Sequence, residues 1–161
     1  MFKCHDLIYC FEIDGTLIDN MPYNSKNIFT RNYKLLKSKC VFNPVKYDIR
    51  WCIVTNHPAV DYATIRLCCF KNCMVPSQII TSNTFKQNSN IEECAQRKSC
   101  FFKSVLDGKA MFKYAKTKIR KIINISNNQL ENQYINSSRN GYDFMSVSVI
   151  DFKREFFNKI V

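Results

Sequence analysis

The chain has 161 residues, 46% of them apolar and 23% charged, which suits one globular domain with its own core and excludes an extended disordered chain. Lys and Arg number 24 against 13 Asp and Glu, and a net charge of +11 favours phosphate-bearing or acidic partners. No apolar run approaches the roughly 20 residues of a membrane helix, and acids stand where a signal peptide needs its apolar centre; a cytoplasmic or nuclear protein with no membrane partner is expected.

Leu7 to Ile13 reads as a short buried strand ended by Asp14-Gly15. The segment from Ser25 to Lys37 places Ile28, Tyr33, Leu35 and Leu36 on one side of a helix, and Pro44 closes the loop after it. Trp51 to Val54 reads as a second buried strand stopping at Thr55-Asn56, and Pro58 sits where a helix begins. In that helix Val60, Ala63, Ile65, Leu67, Cys68 and Phe70 form the expected core face. The nine cysteines are an odd number, and Cys68, Cys69 and Cys73 lack paired C-x-x-C spacing, so free thiols are expected, with no zinc and no disulfide partner.

After Pro76 the run "SQIITSN" reads as a third strand, residues 82–98 as a polar and mobile loop, and "CFFKSVLDG" as an edge strand. Lys109 then opens a basic amphipathic helix with Met111, Tyr114, Ala115 and Ile119 inward and Lys113, Lys116 and Arg120 outward. Ten Lys or Arg against three acids between Phe85 and Lys121 put +7 of the +11 in this region. "IINIS" and "FMSVSVIDF" are the remaining strands. Strands alternating with helices predict a single α/β domain over 1–161 with a mainly parallel sheet, and such sheets bind ligands beyond the carboxyl ends of their strands. Glu12, Asp14, Thr55, Asn56 and Ser126-Asn127-Asn128 all fall at such ends.

"FEIDGTLID" followed by "CIVTN" resembles the haloacid dehalogenase superfamily, whose phosphatases open with D-x-D-G-T at the end of the first strand and carry Thr or Ser at the end of a later one. The resemblance implies a Rossmann-like three-layer sandwich with a minimal or absent cap and, because neither gap between motifs has room for a large cap domain, an open site suited to macromolecules. It gives Glu12 the place of the phosphorus-attacking acid and Asp14 that of the general acid and base, with Thr55, the backbone N–H of Asn56 and the Gly15 turn holding phosphate oxygens. It gives the charge-balancing lysine to Lys109, with Lys98 and Lys103 as alternatives. It implies Mg²⁺ held by Glu12, the backbone carbonyl of Asp14 and, weakly, Asn127.

Two positions depart from the family pattern. Glutamate at 12 moves the carboxylate by about 1 Å relative to aspartate, a displacement that can cost ~10²-fold in rate. Ser126-Asn127-Asn128 offers neutral groups where the family has aspartates, and Mg²⁺ prefers carboxylate oxygen. Three functions are therefore expected, in this order. The first is a catalytically impaired phosphatase-like protein that binds a phosphorylated or acidic macromolecule. The second is an active Mg²⁺-dependent phosphohydrolase acting on phosphoproteins or nucleic-acid ends, with Glu131 or Asp19 as a metal ligand. The third is a nucleic-acid-binding module in which Phe101, Phe102 and Tyr114 stack on bases beside the lysines.

Overall fold

A computed structural model of the chain describes residues 6–19, 27–82, 90–110 and 118–160, with residues 156–160 as backbone alone. Five strands, β1 (Leu7–Phe11), β2 (Trp51–Pro58), β3 (Ile79–Ser82), β4 (Lys121–Ile125) and β5 (Phe144–Val147), form one sheet in the order β3-β2-β1-β4-β5. Every neighbouring pair is parallel. Helices α1 (Ile28–Lys37), α2 (Tyr62–Lys71), α3 (Ile91–Leu106), α4 (Gln129–Ser137) and α5 (Val149–Ile160) cover both faces, giving a Rossmann-like three-layer α/β sandwich.

Alternation along the strands builds the two layers. Tyr9, Phe11, Ile13, Trp51, Ile53, Ile123 and Ile125 point to one side and pack against Leu35 of α1, Ile65 and Cys68 of α2, and Phe152 of α5. Their neighbours Ile8, Cys10, Cys52, Val54 and Ile122 point to the other, against Ala95, Phe102 and Val105 of α3 and Ile135 of α4. Phe11 is the hub of the first layer, with ring centroids 5.7 Å from Phe42, 5.7 Å from Trp51 and 5.8 Å from Phe152. The chain winds outward from β1 through β2 to β3, then returns across β1 to β4, so the reversal of strand order falls at β1. Because Phe11 pairs with both Ile53 and Ile125, the residues that follow each of these strands leave the sheet side by side.

Several expectations are corrected. Half of the stretch 82–98 is helix: Asn90 caps α3 by accepting the Glu93 N–H at 2.8 Å, and Glu92 and Glu93 complement the helix dipole. "CFFKSVLDG" is the second half of the same helix, not an edge strand. Lys109 does not start a helix but lies in the bend after α3, its N–H donating to Ser104 O at 2.8 Å. Met111, Lys113, Tyr114, Ala115 and Lys116 lie outside the described residues; Ile119 is buried and Arg120 exposed, both in coil. The run "FMSVSVIDF" is β5 and the start of α5, with Ser148 Oγ accepting the Asp151 N–H at 3.1 Å. The apolar faces of α1 and α2 are corrected too. α1 buries Arg31 and Leu35 but exposes Tyr33 and Leu36, and α2 buries Ile65, Cys68 and Cys69 but exposes Leu67 and Phe70.

Candidate functional site

At the carboxyl ends of β1, β2 and β4 four elements bring their polar side chains together out of water. Glu12 follows β1, Thr55 and Asn56 lie in the far half of β2, Lys98 projects from about two turns into α3, and Glu131 stands in the first turn of α4. All five are buried, Lys98 to 3% exposure and Glu12 to 4%. Burial of charge on this scale is stable only with partners, and the partners are present.

Glu12 Oε1 accepts from Thr55 Oγ1 at 2.6 Å and from the Ile13 N–H at 2.9 Å. Its Oε2 accepts from Lys98 Nζ at 2.7 Å, from the Asn56 N–H at 3.3 Å and from Asn56 Nδ2 at 3.4 Å. Burial alone would raise the Glu12 pKa; the Lys98 charge and hydrogen bond, with those of Thr55 and Ile13, overcome it and hold the carboxyl below its usual range. Lys98 also stands 2.5 Å from Glu131 Oε1, although that contact is close rather than well aligned for a hydrogen bond. For Lys98 burial acts to lower the pKa, but the charges of Glu12 and Glu131 outweigh it and the ammonium stays protonated.

Beside this cluster runs a second chain of charges. Asp14 meets His57 Nε2, which is 3.0 Å from Oδ1 and 2.7 Å from Oδ2, the longer contact being the better aligned. His57 Nδ1 lies 2.8 Å from Asp61 Oδ2, and Arg31 closes the row with Nε at 2.8 Å and Nη2 at 3.1 Å from the two oxygens of Asp61. Burial lifts the Asp14 carboxyl to about 6 despite the His57 hydrogen bond. Burial acts in the opposite sense on His57, yet its bonds to Asp14 and Asp61 raise the imidazole to about 9, so both ring nitrogens donate at neutral pH. Asp61, lifted by burial, is brought below its usual value by His57 and Arg31.

The turn from Asp14 to Ile18 is tied to the loop after β4. Gly15 has φ +65°, a left-handed conformation that costs glycine little. Its carbonyl accepts from Asn127 Nδ2 at 3.1 Å, and Thr16 Oγ1 accepts the Asn127 N–H at 3.1 Å. Asn127 Oδ1 in turn accepts the Val149 N–H at 3.1 Å. Asn127 is thus a brace between the β1 turn and α5.

These contacts decide the fit to Mg²⁺. Among the described residues no group of three or more His, Cys, Asp or Glu is placed to hold a metal ion. Both Glu12 oxygens are already held by donors, the Asn127 oxygen faces a backbone N–H, and Glu131 pairs with Lys98. A hard dication needs several oxygens free to converge in near-octahedral geometry, and this donor set does not fit it. Asp19 is exposed and accepts the Lys39 N–H at 3.0 Å.

Of the residues singled out in the sequence, Glu12, Asp14, Thr55, Asn56, Gly15 and Asn127 come together, and Lys109 does not; Lys98 stands where a charge-balancing lysine is needed. Lys103 lies in the last turn of α3, with its Nζ 5.8 Å from the Tyr142 ring. Phe102 is fully buried in the core and offers no stacking surface, and Tyr114 lies outside the described residues. His57, Asp61 and Arg31 were missed; the polar continuation "TNH" of an apolar strand is a signal for His57, and the sequence around Arg31 and Asp61 carries none. A cleft of about 690 Å³ opens beside the cluster between β2, β3 and α3, lined by Thr55, Asn56, Ile80, Arg97, Lys98 and Phe101 among others. Set against family models, curated proteins and solved structures, the chain finds no significant match.

Proposed function

We propose that the chain is a phosphatase-like domain of the haloacid dehalogenase type that does not turn over phosphate esters and works by binding an acidic or phosphorylated macromolecule. The observation that carries the reading is the position of the Glu12 carboxylate. Thr55 Oγ1, the Asn56 N–H and Lys98 Nζ are the donors a phosphoryl group would need, and the longer acidic side chain has taken all three. An anion tethered to the chain competes without losing translational freedom, so a free phosphate of similar charge is at a disadvantage. With its inner donors satisfied, the domain meets partners through the basic surface that its +11 charge supplies.

The test uses para-nitrophenyl phosphate with Mg²⁺, followed by thermal unfolding in inorganic phosphate. Expected are a rate no greater than buffer for the native chain, and a phosphate-dependent rise in Tm for Glu12→Ala but not for the native chain. Mg²⁺-dependent turnover that Asp14→Asn abolishes would overturn the reading.

One observation favours an active phosphohydrolase instead. Asp14 is lifted to about 6 beside the cradle, the range in which a carboxyl exchanges a proton at neutral pH. On that reading Glu12→Asp accelerates hydrolysis of the same ester and Glu12→Ala removes it.

A further inference from the structure

Ten of the twelve exposed large apolar side chains among the described residues lie between Phe29 and Val75, in the layer formed by α1, α2 and their loops. They are ordered. On α1, Phe29, Tyr33 and Leu36 are 80%, 58% and 40% exposed at spacings of four and three residues. On α2, exposed Ala63, Leu67 at 57% and Phe70 at 83% repeat the same spacing. A surface helix needs one apolar stripe to dock on its sheet, and these two helices already have theirs in Leu35 and in Ile65, Cys68 and Cys69. The second row on each is the pattern by which a helix is gripped at i, i+3 or i+4, and i+7.

The two helices lie side by side and run the same way. Arg31, in the first turn of α1, pairs with Asp61 at the start of α2 at 2.8 Å, and Lys71, in the last turn of α2, donates to Leu36 O near the end of α1 at 2.6 Å. Around the rows stand exposed Lys34, Lys37, Arg66 and Lys71, and neither helix carries an acid. A second copy of the chain would set like charges against like on this face, whereas acids flanking an apolar seam would meet it favourably. Among the described residues the opposite layer has no comparable surface: α3 begins with exposed Glu92 and Glu93, and Leu130 is the one large exposed apolar group on α4.

We propose that the solvent face of α1 and α2 docks an acidic amphipathic helix of a partner protein. The inference deepens the reading of the domain as a binder of acidic partners, and places the contact away from the Glu12 cluster. The apolar rows enter the partner's seam while Lys34, Lys37 and Arg66 meet its flanking carboxylates.

The experiment measures fluorescence anisotropy of a labelled synthetic helix of about 20 residues, with leucines at heptad spacing and glutamates flanking them; an otherwise identical helix has lysine flanks. Expected is a dissociation constant on the order of 10 µM for the Glu-flanked helix. Binding at least ~10-fold weaker is expected for the Lys-flanked helix, for Phe29→Ser/Phe70→Ser and for Lys34→Glu/Lys37→Glu/Arg66→Glu. These positions are exposed, and circular dichroism with thermal unfolding checks that each variant is folded. If the Glu-flanked helix binds but neither variant weakens it, this surface is wrong while the acidic-partner reading stands; if it does not bind at all, the docking proposal fails, and the reading of the domain is decided by the ester and phosphate experiments. Self-association lost in Phe29→Ser/Phe70→Ser, or tighter binding to phosphatidylserine-containing vesicles than to the helix, also overturns the proposal. None of these variants touches the Glu12 cluster, so ester hydrolysis in the same samples tests the absence of turnover separately.

Discussion

Lys98 shows how much of the site depends on one charge. It lies 2.7 Å from Glu12 Oε2 and 2.5 Å from Glu131 Oε1, with all three side chains at or below 5% exposure. Removing a cation from such a cluster leaves buried carboxylates without their counter-charge, which costs ~3–5 kcal/mol. Lys98→Met is expected to lose about that much by urea unfolding at pH 7. Adding Glu12→Gln should cost less than the sum of the two single changes, by ~1–3 kcal/mol; simple additivity would mean that the two groups are not coupled. The same charges explain what could be read from the sequence. Glu12, Asp14, Thr55 and Asn56 each sit at the end of an apolar run, so their shared location follows from the strands alone. Lys98, Arg31 and Asp61 reach the site from helices or helix starts, and nothing local distinguishes them from surface charges.

At the scale of elements, legibility followed the polarity of the buried face. Strands β1 to β4 are built on short runs of apolar residues, aromatic or β-branched for the most part, and announce themselves, although β2 continues to Pro58 past its apolar part. Helix α3 was hidden because its core face mixes Cys94, Ala95, Phe102 and Val105 with Lys98 and Ser99, which breaks the apolar period. α4 was missed for a related reason, since it buries Glu131 and Asn132 beside Ile135. Its start is nevertheless well defined: Asn128 Oδ1 accepts the Glu131 N–H at 3.1 Å, while the Glu131 side chain is drawn to Ser126 Oγ at 3.2 Å and to Lys98. Asn128→Ala is therefore expected to destabilise the protein by ~1 kcal/mol. It should also loosen Glu131, so its cost should shrink when measured in a Glu131→Gln background. An equal cost in both backgrounds would confine Asn128 to capping.

For the whole molecule, the buried charge row predicts how stability depends on pH. Glu12 and Asp61 have lowered pKa values, so their contribution is present above the usual carboxylate range and is lost as pH falls through it. Asp14 and His57 run the other way. Asp14 is raised from 3.8 to about 6 by burial, and His57 from 6.5 to about 9 by its two carboxylates in spite of burial. A raised pKa stabilises the fold fully below the unfolded value and loses that contribution as pH climbs through the folded one. Maximum stability is thus expected on the acid side of neutrality, with a decline between 6.5 and about 9 as His57 gives up its proton. Over the same range the net charge falls toward zero near the pI of 9.3, which relieves self-repulsion and acts in the opposite sense. Salt at about 0.15 M screens that repulsion over ~8 Å but leaves the buried row largely intact. His57→Gln separates the two effects, because the surface charge is nearly common to both proteins. The variant should be less stable than the native chain at pH 6 by about 3 kcal/mol more than at pH 9, from urea midpoints at both values. A constant difference across that range would show that His57 is not charged in the folded protein and that its two aspartates are balanced in some other way.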